Sequence, residues 1–113
     1  MSRRTSDYEF DLPPELIARH PLAKRELFEA QDFYENRAAG LGAAFLETVE
    51  TATANIRRYP HSGSAVDTVL RQSRVVRFPY SLIYRVEEER LFILAVSHDK
   101  RRPRYWAGRA ESR

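Results

Sequence analysis

The chain has 113 residues and a mass of 13.2 kDa, with 42% hydrophobic, 31% charged and 12% aromatic residues, which suits one compact core and leaves no room for a second. It contains no cysteine, and His20, His61 and His98 are scattered, so disulfides, iron–sulfur clusters and thiolate zinc sites are excluded and no metal or organic cofactor is expected. The net charge of +3 is uneven: from His98 onward six Lys/Arg face only Asp99 and Glu111, and the stretch Val69–Val86 carries Arg71, Arg74, Arg77 and Arg85 with no acid, which points to an anionic partner.

Residues 1–15 read as a polar extension, with Pro13-Pro14 ahead of a single domain over 16–113. Met1-Ser2-Arg3-Arg4 has no apolar stretch behind it, so no signal peptide is expected and the expected compartment is the cytoplasm. Leu16-Ile17-Ala18 is a candidate edge strand, too short for periodicity to decide. His20-Pro21 then starts a helix, since proline suits the first helical position. Ala23, Leu27, Ala30 and Tyr34 stack on one face of it, while Glu26, Glu29, Asp32 and Glu35 wind around the wetter side. Phe28 lies off the apolar face, flanked by Phe33.

The run Ala38–Gly42 allows a tight reversal. A second helix follows with Leu41, Phe45, Val49, Ala52, Ile56 and Tyr59 in one stripe, and Pro60 closes it ahead of the loop His61–Ser64. Two amphipathic helices joined so closely imply an antiparallel αα-hairpin. Beyond the loop the period falls to two over Val69–Phe78, Pro79-Tyr80 is a turn, and Leu82, Tyr84 and Val86 alternate as in a strand with one face on the helices. Glu87-Glu88-Glu89 is a charged hairpin tip. Leu91–Val96 is apolar at every position, which predicts an interior strand covered on both faces; it is far short of the ~20 residues that span a bilayer, so no membrane partner is expected. Short connections make these strands antiparallel. The predicted class is α+β, a helical hairpin on a small, twisted antiparallel sheet.

The order of elements and the local sequence resemble the RelE/ParE superfamily of bacterial type II toxins. The resemblance is carried by His20-Pro21, Ala23, Glu26-Leu27, Ala30 and Tyr34-Glu35, then Gly42, Phe45 and Pro60. It continues through Arg77-Phe78-Pro79-Tyr80, Ile83-Tyr84-Arg85, Ala95-Val96-Ser97-His98, Arg101-Arg102-Pro103 and Tyr105-Trp106. It implies a growth-inhibiting toxin neutralised by a cognate antitoxin that is acidic and partly disordered. One branch poisons DNA gyrase; the other cleaves mRNA on the ribosome. Arg102-Pro103-x-Tyr105-Trp106 looks more like the ParE-like, plasmid-stabilisation group. A constitutive, non-toxic nucleic-acid-binding module also accounts for the basic end.

Under the ribonuclease alternative, His98 is the candidate acid or base, Arg101 a phosphate clamp, and Tyr105 a proton carrier only if its pKa is lowered. Arg77, Arg85, Arg101, Arg102 and Trp106 are the candidate target-binding residues, with Trp106 stacking on a base or, in the blander alternative, folding back on the sheet. Phe28, Arg71, Arg74, Arg77 and Arg85 are the candidate antitoxin surface, an apolar anchor with cations to meet acids.

Overall fold

His20 stands at the head of the first helix in extended conformation, and its Nδ1 accepts the Leu22 N–H at 3.1 Å. The chain is described here by a computed structural model over residues 17–88 and 90–111, so the extension over 1–15 lies outside the described residues. Helix α1 (Pro21–Arg37) buries Ala23, Leu27 and Ala30, and helix α2 (Leu41–Arg58) buries Phe45, Val49, Ala52 and Ile56, the stripes that the spacing predicts. Tyr59 ends outside its stripe, about half exposed, because the helix has already stopped at Arg58.

The reversal between the helices is held by a residue that the pattern assigns only to the wet face. The Glu35 carboxylate accepts the N–H groups of Gly40 and Gly42, each at 2.9 Å, and these bonds hold it below the usual carboxylate range. Gly40 has φ +88°, where a side chain is strained. Gly42 is buried where the helices touch: a Cβ there would lie 2.6 Å from the Gln31 carbonyl oxygen. Gly42→Ala must push the hairpin apart and is expected to cost about 1–3 kcal/mol, read as a lower denaturation midpoint. An unchanged midpoint would mean that the two helices can slide past each other.

The sheet has five strands in the order β1-β5-β4-β3-β2: β1 (Ile17–Arg19), β2 (Ser64–Ala65), β3 (Leu70–Val75), β4 (Tyr80–Glu87) and β5 (Arg90–His98). The α+β class holds, and β2 to β5 pair antiparallel as expected. The sheet as a whole is mixed rather than antiparallel, because β1 runs parallel to β5, with Ile17 opposite Leu91 and Arg19 opposite Ile93. Only hairpin-linked strands are forced antiparallel; β1 reaches β5 through the whole helical pair and the three strands β2, β3 and β4, so no turn fixes its direction. Strand β2 is two residues long and leaves no periodicity to read.

The predicted strand Val69–Phe78 is a shorter β3 followed by a turn. Arg77 adopts φ +74°, and Phe78 turns inward to meet Phe45 and Tyr34 at ring distances of 5.1 and 5.0 Å. Tyr80 is the first residue of β4 rather than part of the turn. A bulge between β4 and β5 makes Leu94 the extra residue, with Ile83 opposite Ala95 and Tyr84 opposite Ile93. Leu91, Ile93 and Val96 therefore join the core under the helices, while Phe92, Leu94 and Ala95 join a second core on the far face, so the single core expected from the length is split in two by the sheet. The segment after β5 crosses that far face as a strap and ends in a 3₁₀ helix (Ala107–Glu111), inserting Trp106, 5% exposed, against Leu70, Ile83 and Phe92.

Candidate functional site

Two features meet at the C-terminal end of β5. The first is a polar cluster around Glu26. Among the described residues strand β1 pairs with Leu91–Ile93 alone, so on that side the next part of β5 has no strand beside it. Side chains fill that edge: Val96 N–H donates to Glu26 Oε1 at 3.0 Å, and Arg109 donates to the Leu94 carbonyl at 3.1 Å. Arg109 also forks onto both Glu26 oxygens, at 3.0 and 2.9 Å, and both side chains are largely buried. The Tyr105 hydroxyl donates to Glu26 Oε2 at 2.8 Å. Its ring is flanked by the guanidinium of Arg101 at 3.8 Å and that of Arg109 at 5.1 Å.

Burial, and then the Glu26 carboxylate that accepts its proton, push Tyr105 up to about 12. This is opposite to the lowering that the proton-carrier role of Tyr105 requires; the phenol stands as a hydrogen-bond donor to Glu26. The ordinary value is 10, so the stability it contributes is complete below pH 10 and is lost as pH rises towards 12. The wild type is expected to lose stability across that window more steeply than Tyr105→Phe in denaturant titrations. Parallel slopes would mean that the phenol titrates as in the unfolded chain.

The second feature is an open groove of about 510 Å³ on the far face of the sheet, beside the strap. The register sets Arg74, Ser81 and Ser97 in one row across β3, β4 and β5, and Ser81 and Ser97 line the groove. His98, Arg101, Arg102 and Arg104 come to its rim. His98 Nδ1 accepts the Lys100 N–H at 2.9 Å, and its ring packs edge-on against Tyr80 at 4.9 Å. Asp99 takes Arg74 in an exposed ion pair at 2.8 Å.

His98, Arg101 and Arg102 are thus brought together, and Tyr105 lies just behind them. Trp106 does not offer a face for a base; it is buried in the far-face core, the folding-back that its sequence neighbours also allow. The candidate target-binding residues Arg77 and Arg85 lie apart from this end. Arg77 sits in the β3–β4 turn, lining a different groove with α2. Arg85 pairs with Phe92, far down the strands from His98, and is tied to Glu87 at 3.0 Å and to the Ala110 carbonyl at 2.9 Å. Among the other antitoxin candidates, Arg71 clamps the carbonyls of His61 and Gly63, and Phe28 stands 57% exposed on α1, so these residues form no single surface.

Glu26 and Arg109 carry the cluster, and the sequence reading passes over both. A signal existed for Glu26: it lies three residues after Ala23 and four before Ala30, on the flank of the buried stripe. Nothing local marks Arg109 among the basic residues of the tail.

The whole is a two-helix hairpin on a mixed sheet, closed by a C-terminal strap beside a cationic groove. A family profile described as the ParE toxin of the type II toxin–antitoxin system, parDE, matches residues 17–103, and the chain belongs to that family. A solved structure of a chromosomal ParDE toxin–antitoxin system from P. aeruginosa superposes with a TM-score of 0.61 at 16% identity, over 73% of this chain and 92% of that one, a likeness of fold. No curated protein matches the sequence. Among the described residues no helix is long and apolar enough to cross a membrane.

Proposed function

We propose that this chain arrests growth by binding a protein target in the cytoplasm, DNA gyrase, and that a cognate acidic antitoxin holds it inactive. The observation that supports a binding role over RNA cleavage is the state of the groups around the groove. Tyr105 keeps its proton and donates it to Glu26, His98 spends Nδ1 on the strap backbone, and Arg101 lies against the Tyr105 ring. A ribose-directed nuclease needs a base for the 2′-hydroxyl and an acid for the leaving oxygen; with the phenol tied to Glu26 and His98 Nδ1 taken by the backbone, His98 Nε2 would have to fill both roles. The remaining cations make the groove a surface for acidic groups on a partner.

The test compares mRNA ends on ribosomes with plasmid supercoiling after induced expression. Altered supercoiling without codon-phased ends is expected, and His98→Ala should arrest growth as the wild type does. Codon-phased cleavage that disappears in His98→Ala or Arg101→Ala would establish the ribonuclease alternative. Full viability under strong expression of the folded chain would favour a nucleic-acid-binding module.

A further inference from the structure

A second groove, of about 620 Å³, runs along the β3 edge between α2 and the β3–β4 turn. Its floor includes an unfinished strand edge. Ser64 pairs with Gln72, and Val66 N–H donates to the Leu70 carbonyl at 2.8 Å, so alternate residues of β3 turn their main-chain groups to this side. At Arg74 strand β2 has run out, and the Arg74 N–H and C=O face the groove with no hydrogen-bond partner among the described residues. An open edge of this kind is a template for another strand.

The turn beside that edge is held in a costly conformation. Arg77 has φ +74°, and Val76 is turned out, 65% exposed. Phe78 is locked behind them by Phe45 and Tyr34, so the tip cannot relax by swinging Val76 inward. A strained, apolar and cationic tip on a rigid base is the kind of outlier that accompanies recognition.

The lining also narrows what can bind. Arg58, Arg74 and Arg77 face one acid, Glu47. Arg74 is committed to Asp99, whereas Arg77 has no ion-pair partner among the described residues. On α2, the Thr48 and Thr51 hydroxyls donate back to the carbonyls of Ala44 and Glu47, leaving chiefly methyl groups for a ligand. Among the described residues no aromatic ring lines the groove, so a nucleic acid would find no stacking platform there. An extended peptide with small apolar residues alternating with acids fits the methyl wall, the strand edge and Arg77 together.

We propose that an extended acidic segment of the antitoxin adds to β3 in this groove, pairing with the main chain of Arg74 and setting a carboxylate on Arg77; this rests on the toxin reading above. The experiment uses the full-length chain and the full-length acidic protein encoded by its neighbouring gene. Arg77→Glu should weaken binding at least about tenfold and flatten its salt dependence. Arg74→Pro removes the outward N–H without breaking a bond to β4, and should weaken binding about tenfold beyond Arg74→Ala, which loses only the Asp99 pair. Hydrogen exchange at Arg74 should slow on binding. If Arg74→Pro fails to fold, Arg77→Glu and the exchange measurement decide. Wild-type affinity in Arg77→Glu with unprotected Arg74, while the complex still forms and rescues growth, overturns this inference alone. A chain that neither arrests growth nor binds the neighbouring protein overturns the toxin reading and this inference with it.

Discussion

Replacing Glu26 by alanine is expected to lower stability by roughly 3 kcal/mol, or about 10–15 °C in melting temperature for a domain of this size. The loss comes from what is left behind. The Arg109 guanidinium stays largely buried with no carboxylate, the Tyr105 hydroxyl loses its acceptor, and the Val96 N–H on the strand edge loses its cap. Glu26→Gln keeps an acceptor and the shape but not the charge, and should fall between wild type and Glu26→Ala. The double replacement Glu26→Leu with Arg109→Met should recover much of the deficit, because removing both partners of a buried pair costs far less than removing one. Thermal and denaturant melts of the four proteins check the series. Glu26→Ala melting within a degree or two of the wild type would mean that solvent replaces the carboxylate freely.

Trp106→Ala is the other large effect, about 3–5 kcal/mol from lost burial and the cavity that remains between the strap and β3, β4 and β5. The damage should be local in character. The helices keep their own core with the sheet, which does not include Trp106, so helical circular dichroism should survive at low temperature. Residues 99–111 should become open to proteolysis, and growth arrest should weaken because Arg101, Arg102 and Arg104 are held at the groove by the strap. A strap that remains protease-resistant in Trp106→Ala would show that the Glu26 cluster alone holds it.

The helical half of this fold is readable from sequence because its information is local. The stripes of α1 and α2, the His20-Pro21 start and the glycine reversal each fall within one or two turns of chain. The sheet is less readable where geometry depends on distant partners. Val76 continues the alternation of β3 in sequence, yet Phe78 finds a better place among Tyr34, Phe45 and Tyr80, and the chain turns at Arg77 to put it there. The direction of β1 and the bulge at Leu94 likewise depend on the whole sheet. At the site, His98, Arg101 and Arg102 could be grouped because they are neighbours in sequence. Arg77 and Arg85 could not be separated from them, since a charge count carries no information about where along a strand each lies. The Glu26–Arg109 contact spans 83 positions, beyond any pattern of helix or strand.

That span has a consequence for how the protein is born. Among the described residues strand β1 finds its partner in β5, and Glu26 waits for Tyr105 and Arg109, which follow it by 79 and 83 positions. Contacts this distant in sequence carry a high loop-closure cost and make assembly slow relative to helix formation. During synthesis the helical hairpin can form early, while the sheet lacks its edge cover and its far-face core until the strap has been made. Chains cut short before Tyr105 would expose Phe92 and Leu94 and leave Glu26 unpaired, and such products would be prone to clearance by proteases. The fold thus becomes whole only once the strap beyond β5 has been made.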